Sequence, residues 1–445
     1  MSIRDIEPTV KDKAGMRRVV VAGGLGTLIE YYDYALYGYV ASIIAPLFFP
    51  DEDPVAALLY TLALFALSYV IRPLGGIYFG WMGDKYGRRR ALMVTIIGIG
   101  IASTAIGLLP TYATVGVFAP ILLFIVRVAQ GFFAGGEVGG AATVIAEAAP
   151  RGQKSRYAAF VPMGTNGGFA IASATVGIVS GVLAADQLSD WGWRIPFLIA
   201  LPLTVMCYFA RRSLPDIDHN VSKSSEGFPL VSALKSYPKP LMQAISLGIG
   251  VQGAAYIGST FIAIYLVTNL GYPRAPIYWI TAGVTVFAVL LMPFTGRLAD
   301  RIGTTKVATI GLAGYAITTY PALVLMDLHN LAIAAVGYGL IMVNMAFLQV
   351  ASYTITPQLF DDEVRYTGTA LATNISVVIA GGTAPFIATW LVDQTDNLRS
   401  PYFFVLTTSV IGLLAVLTIW KAGKAQSPVR TAEPSILKAG ESSGD

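Results

Sequence analysis

Long apolar runs, each of about 20 residues or more, follow one another along the chain and are separated by short polar connectors. A run of that length crosses the bilayer core as an α-helix, which satisfies its own backbone hydrogen bonds where no water can. The pattern predicts twelve spans, at about 18–46, 55–82, 91–110, 114–146, 157–184, 194–212, 241–269, 276–298, 307–326, 331–356, 368–392 and 402–420. The longest need tilt or interfacial turns. One longer polar stretch, 213–240, contains Ser, Pro and Lys without an apolar period and divides six spans from six. The expected organisation is a cytoplasmic tail over 1–17, a six-helix bundle over 18–212, a cytoplasmic linker over 213–240, a second bundle over 241–420 and a disordered cytoplasmic tail over 421–445. The first run is too long for a signal-peptide core and lacks a clear cleavage site, so it reads as a retained span.

Composition strengthens the membrane reading. Of 445 residues 55% are hydrophobic and 13% charged, where about a quarter charged is usual for a soluble chain. The bases collect in alternate loops, among them Arg17, Arg18, Lys85, Arg88, Arg89, Arg90, Arg151, Lys154, Arg156, Arg211, Arg212, Arg301, Lys306 and Arg365. The other loops carry Asp51, Glu52, Asp53, Asp186, Asp190, Asp327, Asp393 and Asp396, with Arg194, Arg274 and Arg399 as their bases. The positive-inside rule therefore puts both termini in the cytoplasm of a multi-pass cell (inner) membrane protein. With its bases so placed, the net charge of +4 gives no reason to expect nucleic acid as a partner. One cysteine, Cys207, cannot build a disulfide framework within one chain, and His219 and His329 fall in loops. The sequence shows no metal-ligand cluster, phosphate loop or nucleophile–base constellation, so neither cofactor, metal nor enzymatic activity is expected.

Charge inside the spans carries the functional information. An ionised carboxylate at the centre of a membrane helix costs about 2.5–3.5 kcal/mol on insertion scales. Span 1 holds two, Glu30 and Asp33, at i, i+3 on one helix face, with Tyr34 and Tyr37 beside them. At 1.5 Å per residue Asp33 lies about 22 Å from Arg18, a depth also reached by Arg72 on span 2 and Arg127 on span 4. Glu137 lies nearer the cytoplasmic end. The spans of the second bundle read as free of Asp, Glu, Lys and Arg and offer Gln252, Tyr256, Tyr265, Asn344, Gln349, Tyr353 and Asn374; span 5 adds Asn166. Proton chemistry is thus expected in the first bundle (Asp33, Glu30, Arg127, Glu137). Solute binding is expected between the bundles, at Arg72, Arg127, Tyr34, Tyr37, Asn166, Gln252, Tyr256, Asn344, Gln349 and Asn374. Glu30 and Glu137 read equally well as structural. On span 4, Gly131, Gly135 and Gly139 at four-residue spacing point to close helix packing more than to ligand contact.

An internal repeat supports the two bundles. Gly80-Trp-Met-Gly-Asp84-Lys-Tyr-Gly87-Arg88-Arg-Arg90 recurs 216 positions later as Gly296-Arg-Leu-Ala-Asp300-Arg-Ile-Gly303-Thr-Thr-Lys306, and Glu147 and Glu363 share that offset. The glycines permit a sharp turn and close helix approach. The aspartates can accept from N–H groups at a helix N-terminus, and Arg88 can pair with Glu147. Together with Arg365 these residues form an expected cytoplasmic gate; the alternative is that the bases serve only topology.

The duplicated loop resembles the signature of the major facilitator superfamily. More narrowly, Glu30-Tyr-Tyr-Asp33-Tyr-Ala-Leu-Tyr-Gly38, Arg72-Pro-Leu-Gly-Gly76, Arg127-Val-Ala-Gln-Gly-Phe-Phe-Ala-Gly-Gly-Glu137, Trp193-Arg-Ile-Pro-Phe197 and Arg365-Tyr-Thr-Gly368 resemble the metabolite:H⁺ symporter family. The resemblance implies an all-α major facilitator fold of two pseudo-symmetric six-helix bundles working by alternating access. It implies carriage of α-ketoglutarate, citrate, shikimate or proline and betaine types of solute. It also implies a coupling pair of Asp33 and Arg127, for which a static ion pair is the structural alternative. The osmosensing betaine and proline carriers of the family have a C-terminal coiled coil; the tail here has no heptad pattern, which argues against that branch. The expected function is proton-coupled uptake of a small carboxylate-bearing metabolite by a functional monomer in the lipid bilayer. The alternatives are a proton-coupled exporter and a non-transporting receptor.

Overall fold

The computed structural model describes residues 13–50, 53–86, 88–137, 152–212, 237–361 and 364–425, with backbone alone at 13–26, 84, 88, 89, 137, 210–212, 366 and 423–425. Its long elements are helical: α1 (Lys13–Phe48), α2 (Pro54–Tyr86), α3 (Arg88–Leu108), α4 (Phe118–Ala134), α5 (Lys154–Val182), α6 (Arg194–Arg212), α7 (Pro238–Thr268), α8 (Arg274–Ile302), α9 (Thr304–Met326), α10 (Leu331–Gln358), α11 (Thr367–Thr395) and α12 (Pro401–Ala425). Among the described residues nine helices are long and apolar enough to cross a membrane, or ten if the bent pair Ala185–Gly192 and Arg194–Phe209 is one span. Large apolar side chains such as Leu74, Ile101, Phe118, Val182, Phe294 and Ile317 are exposed on the outside, while Glu30, Asp33, Arg72 and Arg127 are buried within. That inversion of the soluble pattern is what a lipid solvent selects.

Three details depart from the hydropathy pattern. The predicted span 114–146 is broken: a short helix, Tyr112–Val115, ends at Gly116, whose φ of +58° only glycine adopts freely. At the other end α4 gives way to a 3-10 turn, Gly135–Glu137. Helices α7 and α11 each contain a π turn, at Ile257–Phe261 and Val377–Gly381, which no periodicity announces. The predicted span 276–298 does contain one base, Arg297, exposed near the end of α8 and resting on the Phe294 ring.

Helices α1–α6 and α7–α12 are here the N-terminal and C-terminal sets. Within the first, α1 packs on α5 and α2 on α4, both by backbone approach. A Cβ at Gly168 would collide with the Leu28 carbonyl, and one at Gly131 or Gly135 with the carbonyls of Ser68 or Arg72. These span-4 glycines therefore serve helix packing, and the described part of the stripe brings α4 close enough to hold Arg127 beside α2. Gly135→Val is expected to force α2 from α4, because no rotamer change relieves a clash with backbone; overpacking of this kind costs about 1–3 kcal/mol or more. Thermal unfolding in detergent checks this, with Gly80→Val as comparison, since none of the described residues lies within 4 Å of a Cβ there.

Candidate functional site

Positions 30, 34 and 37 of α1 form a stripe at helical spacing, and each engages a base from a neighbouring helix. Arg72 on α2 reaches Glu30 through its Nη2, which lies 3.1 Å from Oε1. Its Nε donates to the Tyr34 hydroxyl at 3.1 Å, and its guanidinium lies 4.1 Å from the Tyr34 ring centre and 4.7 Å from that of Tyr69. Tyr69, three residues before Arg72 on the same helix, thus supplies the second ring. Arg72 is 2% exposed, so its charge is held by one carboxylate, one hydroxyl and two π faces.

Arg127 is fully buried and has its own set of partners. It donates to the Gln130 amide oxygen one turn along α4, to the Ser68 hydroxyl at 2.8 Å and to the Phe65 carbonyl at 3.5 Å. Its guanidinium sits 3.9 Å from the Tyr37 ring centre. Gln130 in turn donates to Ser103 of α3 at 2.8 Å. The Tyr37 hydroxyl is fixed by the Thr61 carbonyl at 3.2 Å.

Asp33 differs from both. It is 1% exposed, and both carboxylate oxygens lack a hydrogen-bond partner among the described residues. Ser103, Glu30 and Arg127 face it, and Arg127 Nε is likewise buried and without a partner. The direct Asp33–Arg127 ion pair expected from matching depth is therefore not made in this structure; the ion pair that is made joins Glu30 to Arg72. The reason is azimuth: three residues along a helix rotate the side chain by about 60° short of a full turn, so Glu30 meets α2 while Asp33 is turned towards α3 and α4.

The remaining expected residues divide. Tyr256 of α7 meets the site, its hydroxyl 2.8 Å from that of Tyr69 and its ring packed edge-on against Tyr69 and Phe169. Asn166 of α5 donates to Gln349 of α10 at 2.6 Å and to its own helix at Pro162, which joins the two sets. Asn374 is buried on α11 and Gln252 half-buried on α7. Asn344 goes elsewhere: its amide donates to Thr318 of α9 at 2.8 Å and to Leu340 of its own helix, and it fills the space over Gly314. It packs α10 on α9 and is not part of the inter-set site, a correction to its expected solute contact. Tyr69, Phe65, Ser68, Ser103 and Gln130 also belong to the site; in the sequence nothing distinguishes them from the other hydroxyl, amide and aromatic residues of the apolar runs.

At the end where the basic loops lie, Asp300 accepts from the backbone N–H groups of Ser155 (2.9 Å) and Arg156 (3.1 Å), at the start of α5. Gly296, one turn earlier, lets α8 approach, since a Cβ there would lie 2.8 Å from the Ser155 carbonyl. Gly303 turns the chain into α9 at φ +101°. Arg365 donates to the Pro357 carbonyl at 3.1 Å, tying α11 to the end of α10. Gly80 has no such neighbour among the described residues. Gly87, Glu147 and Glu363, with the side chains of Asp84, Arg88 and Glu137, lie outside the described residues.

Comparison with known proteins places the chain in a family. The family model of the Major Facilitator Superfamily matches residues 23–273 and 244–441. The proline/betaine transporter of Escherichia coli (strain K12) is 33% identical over 449 residues, covering 98% of this chain and 89% of that protein. A glycine betaine/proline/ectoine/pipecolic acid transporter of Dickeya dadantii (strain 3937) is 32% identical over 447 residues, covering 97% and 88%. The crystal structure of a D-xylose-proton symporter superposes with a TM-score of 0.72 at 16% identity, covering 91% of this chain and 97% of that one. The tail without heptads argues against the osmosensing betaine and proline branch, and these relatives carry betaine and proline in their names. The chain belongs to the Major Facilitator Superfamily and is a multi-pass membrane transporter, not an enzyme.

Proposed function

We propose that this protein is a metabolite:H⁺ symporter of the cell membrane, accumulating a small carboxylate-bearing solute by alternating access. It has twelve spans in two bundles, 18–212 and 241–420, and both termini in the cytoplasm. The observation that carries the reading is the buried charge cluster of the N-terminal set: a Glu30–Arg72 ion pair beside Asp33 and Arg127, whose carboxylate oxygens and Nε respectively have no partner among the described residues. Buried charge of this kind is costly and marks ion and proton pathways in membrane helices. A solute carboxylate competes with Glu30 for the Arg72 guanidinium, which stays on the Tyr34 and Tyr69 rings. Asp33 takes the proton, and Arg127, close by, is its alternative counter-charge once the helices shift. Tyr256, Asn166, Gln349, Gln252 and Asn374 complete the solute site with neutral groups, and Asp300 with Gly296 closes the basic end. The proline and betaine solutes named for the relatives are carboxylates with a cationic nitrogen, and the ring faces of Tyr256 and Phe169, buried beside Tyr69, offer that nitrogen an aromatic neighbour once the sets part.

Purified protein in proteoliposomes tests the reading. An imposed inward proton gradient should drive accumulation of labelled betaine, proline or an organic acid, and a protonophore should collapse it. No gradient-driven uptake of any of these classes, or uptake that only runs down the solute's own gradient, overturns proton symport.

A further inference from the structure

Three hydrogen bonds between the sets lie at the end opposite Asp300 and form one chain. Ser173 of α5 donates to the Tyr278 carbonyl of α8 at 2.7 Å. The Tyr278 hydroxyl donates to the Tyr39 carbonyl of α1 at 2.5 Å. The Tyr39 hydroxyl donates to the Ser259 carbonyl of α7 at 2.6 Å. The chain alternates N-terminal, C-terminal, N-terminal, C-terminal, so every bond in it crosses between the sets. All four residues are buried, and the Tyr39 and Tyr278 rings meet edge to face at 5.5 Å.

Tyr39 lies nine residues, about 13 Å, beyond Glu30 towards the acidic loops, so the chain stands between the charge cluster and that end. Its last acceptor sits in the π turn Ile257–Phe261, where the widened helix departs from regular i→i+4 geometry. Gly38 makes the approach possible: the Thr260 methyl occupies the position its Cβ would take. A buried tyrosine hydroxyl usually finds a partner, although those of Tyr265, Tyr315 and Tyr338 have none among the described residues, and where one is found a single set can supply it. The Tyr32 hydroxyl donates to Pro196 in the N-terminal set at 2.9 Å, and that of Tyr272 to Met326 in the C-terminal set at 2.9 Å. Tyr39 and Tyr278 instead spend their hydroxyls across the interface, each on backbone of the other set, where the acceptor moves as a rigid part of its helix.

We propose that Tyr39 and Tyr278, with Ser173 and the π-turn carbonyl of Ser259, are a latch that holds the acidic end shut and must be broken each time the protein opens to that side. The consequence for turnover rests on the transport reading; the structural test does not. Gly181 of α5 and Ala275 of α8 face each other at the same end, with a Cβ separation of 3.6 Å, within disulfide range. In a Cys207→Ala background, Gly181→Cys with Ala275→Cys should cross-link under mild oxidant, reporting closure without any solute. Tyr39→Phe and Tyr278→Phe each remove one oxygen and keep the ring. Each should slow cross-linking by roughly two- to tenfold, the range set by one neutral hydrogen bond, and the double variant by more. Tyr32→Phe, which removes the same kind of bond inside one set, should leave the rate unchanged. The latch is overturned if the parent pair does not cross-link, if the Tyr39 and Tyr278 variants cross-link at the parent rate, or if Tyr32→Phe slows it equally.

Discussion

Asp33→Asn is expected to abolish gradient-driven accumulation in proteoliposomes and to leave counterflow exchange of the same solute measurable. The asparagine keeps the shape and removes the titratable group, so solute binding and helix rocking survive while the link to protons does not. Asp33 carries the larger expected effect of the two acids on α1 because of its surroundings. Glu30 is held by the Arg72 guanidinium at 3.1 Å, whereas Asp33 has no hydrogen bond among the described residues to stabilise a charge. An ionised carboxylate without donors in a low-dielectric interior is costly, and binding a proton is the ready alternative. In the proposed cycle, access to Arg127 would reverse that preference, so that a helix movement bringing the two together or apart would load or release the proton. The measurement is the steady-state accumulation ratio at a fixed pH difference, beside the initial exchange rate without one. Accumulation in Asp33→Asn equal to wild type removes Asp33 from the proton path and makes Glu30 the residue to test next.

Much of this arrangement was legible in the sequence, and the physical reason is simple. Lipid makes polarity expensive, so the length of each apolar run and every charge inside one is informative. Glu30, Asp33, Arg72 and Arg127 stood out for that reason and do lie together in the fold. What the sequence did not show was their pairing. Rise per residue fixes depth, but pairing depends on the rotation of each helix about its axis, which neighbouring helices set through packing. Gly131, Gly135 and Gly168 admit close approach here, and their contacts are with backbone carbonyls of Ser68, Arg72 and Leu28, which leave no side-chain partner to read in the sequence. The same blindness explains Asn344, a polar residue at a plausible depth that turned out to pack against α9. It explains the duplicated loop as well: Gly80 and Gly296 occupy equivalent sequence positions, yet among the described residues only Gly296 of the two closely approaches another helix. A π turn has no sequence signature at all, so the Ser259 carbonyl could be found only in three dimensions.

Arg72→Gln is expected to lower stability far more than Glu30→Gln, and the double substitution to recover most of the loss without recovering transport. Removing one member of a buried ion pair costs about 3–5 kcal/mol, because the other charge loses its compensation, whereas replacing both members is often near neutral. The two single losses are unequal because the surviving guanidinium keeps its hydroxyl and aromatic partners, whereas the surviving carboxylate loses its salt-bridge cation. In Glu30→Gln the guanidinium keeps the Tyr34 hydroxyl and the faces of Tyr34 and Tyr69, a setting worth about 2 kcal/mol or more when desolvated. In Arg72→Gln the Glu30 carboxylate loses the cation that faces it, and a neutral amide returns only part of that interaction. Equilibrium or thermal unfolding of the four proteins in detergent closes a double-mutant cycle, whose coupling term should fall at the upper end of the 0.5–3 kcal/mol found for residues in contact. Solute binding by the same four separates stability from function. If Arg72 receives the solute carboxylate, affinity falls in Arg72→Gln and in the double variant alike, while Glu30→Gln, relieved of its competitor, binds as well as wild type or better. A coupling term near zero would mean that the 3.1 Å contact is incidental to stability. Unchanged affinity in the double variant would remove Arg72 from the solute site and leave Arg127 as the buried cation of the N-terminal set still available to a carboxylate.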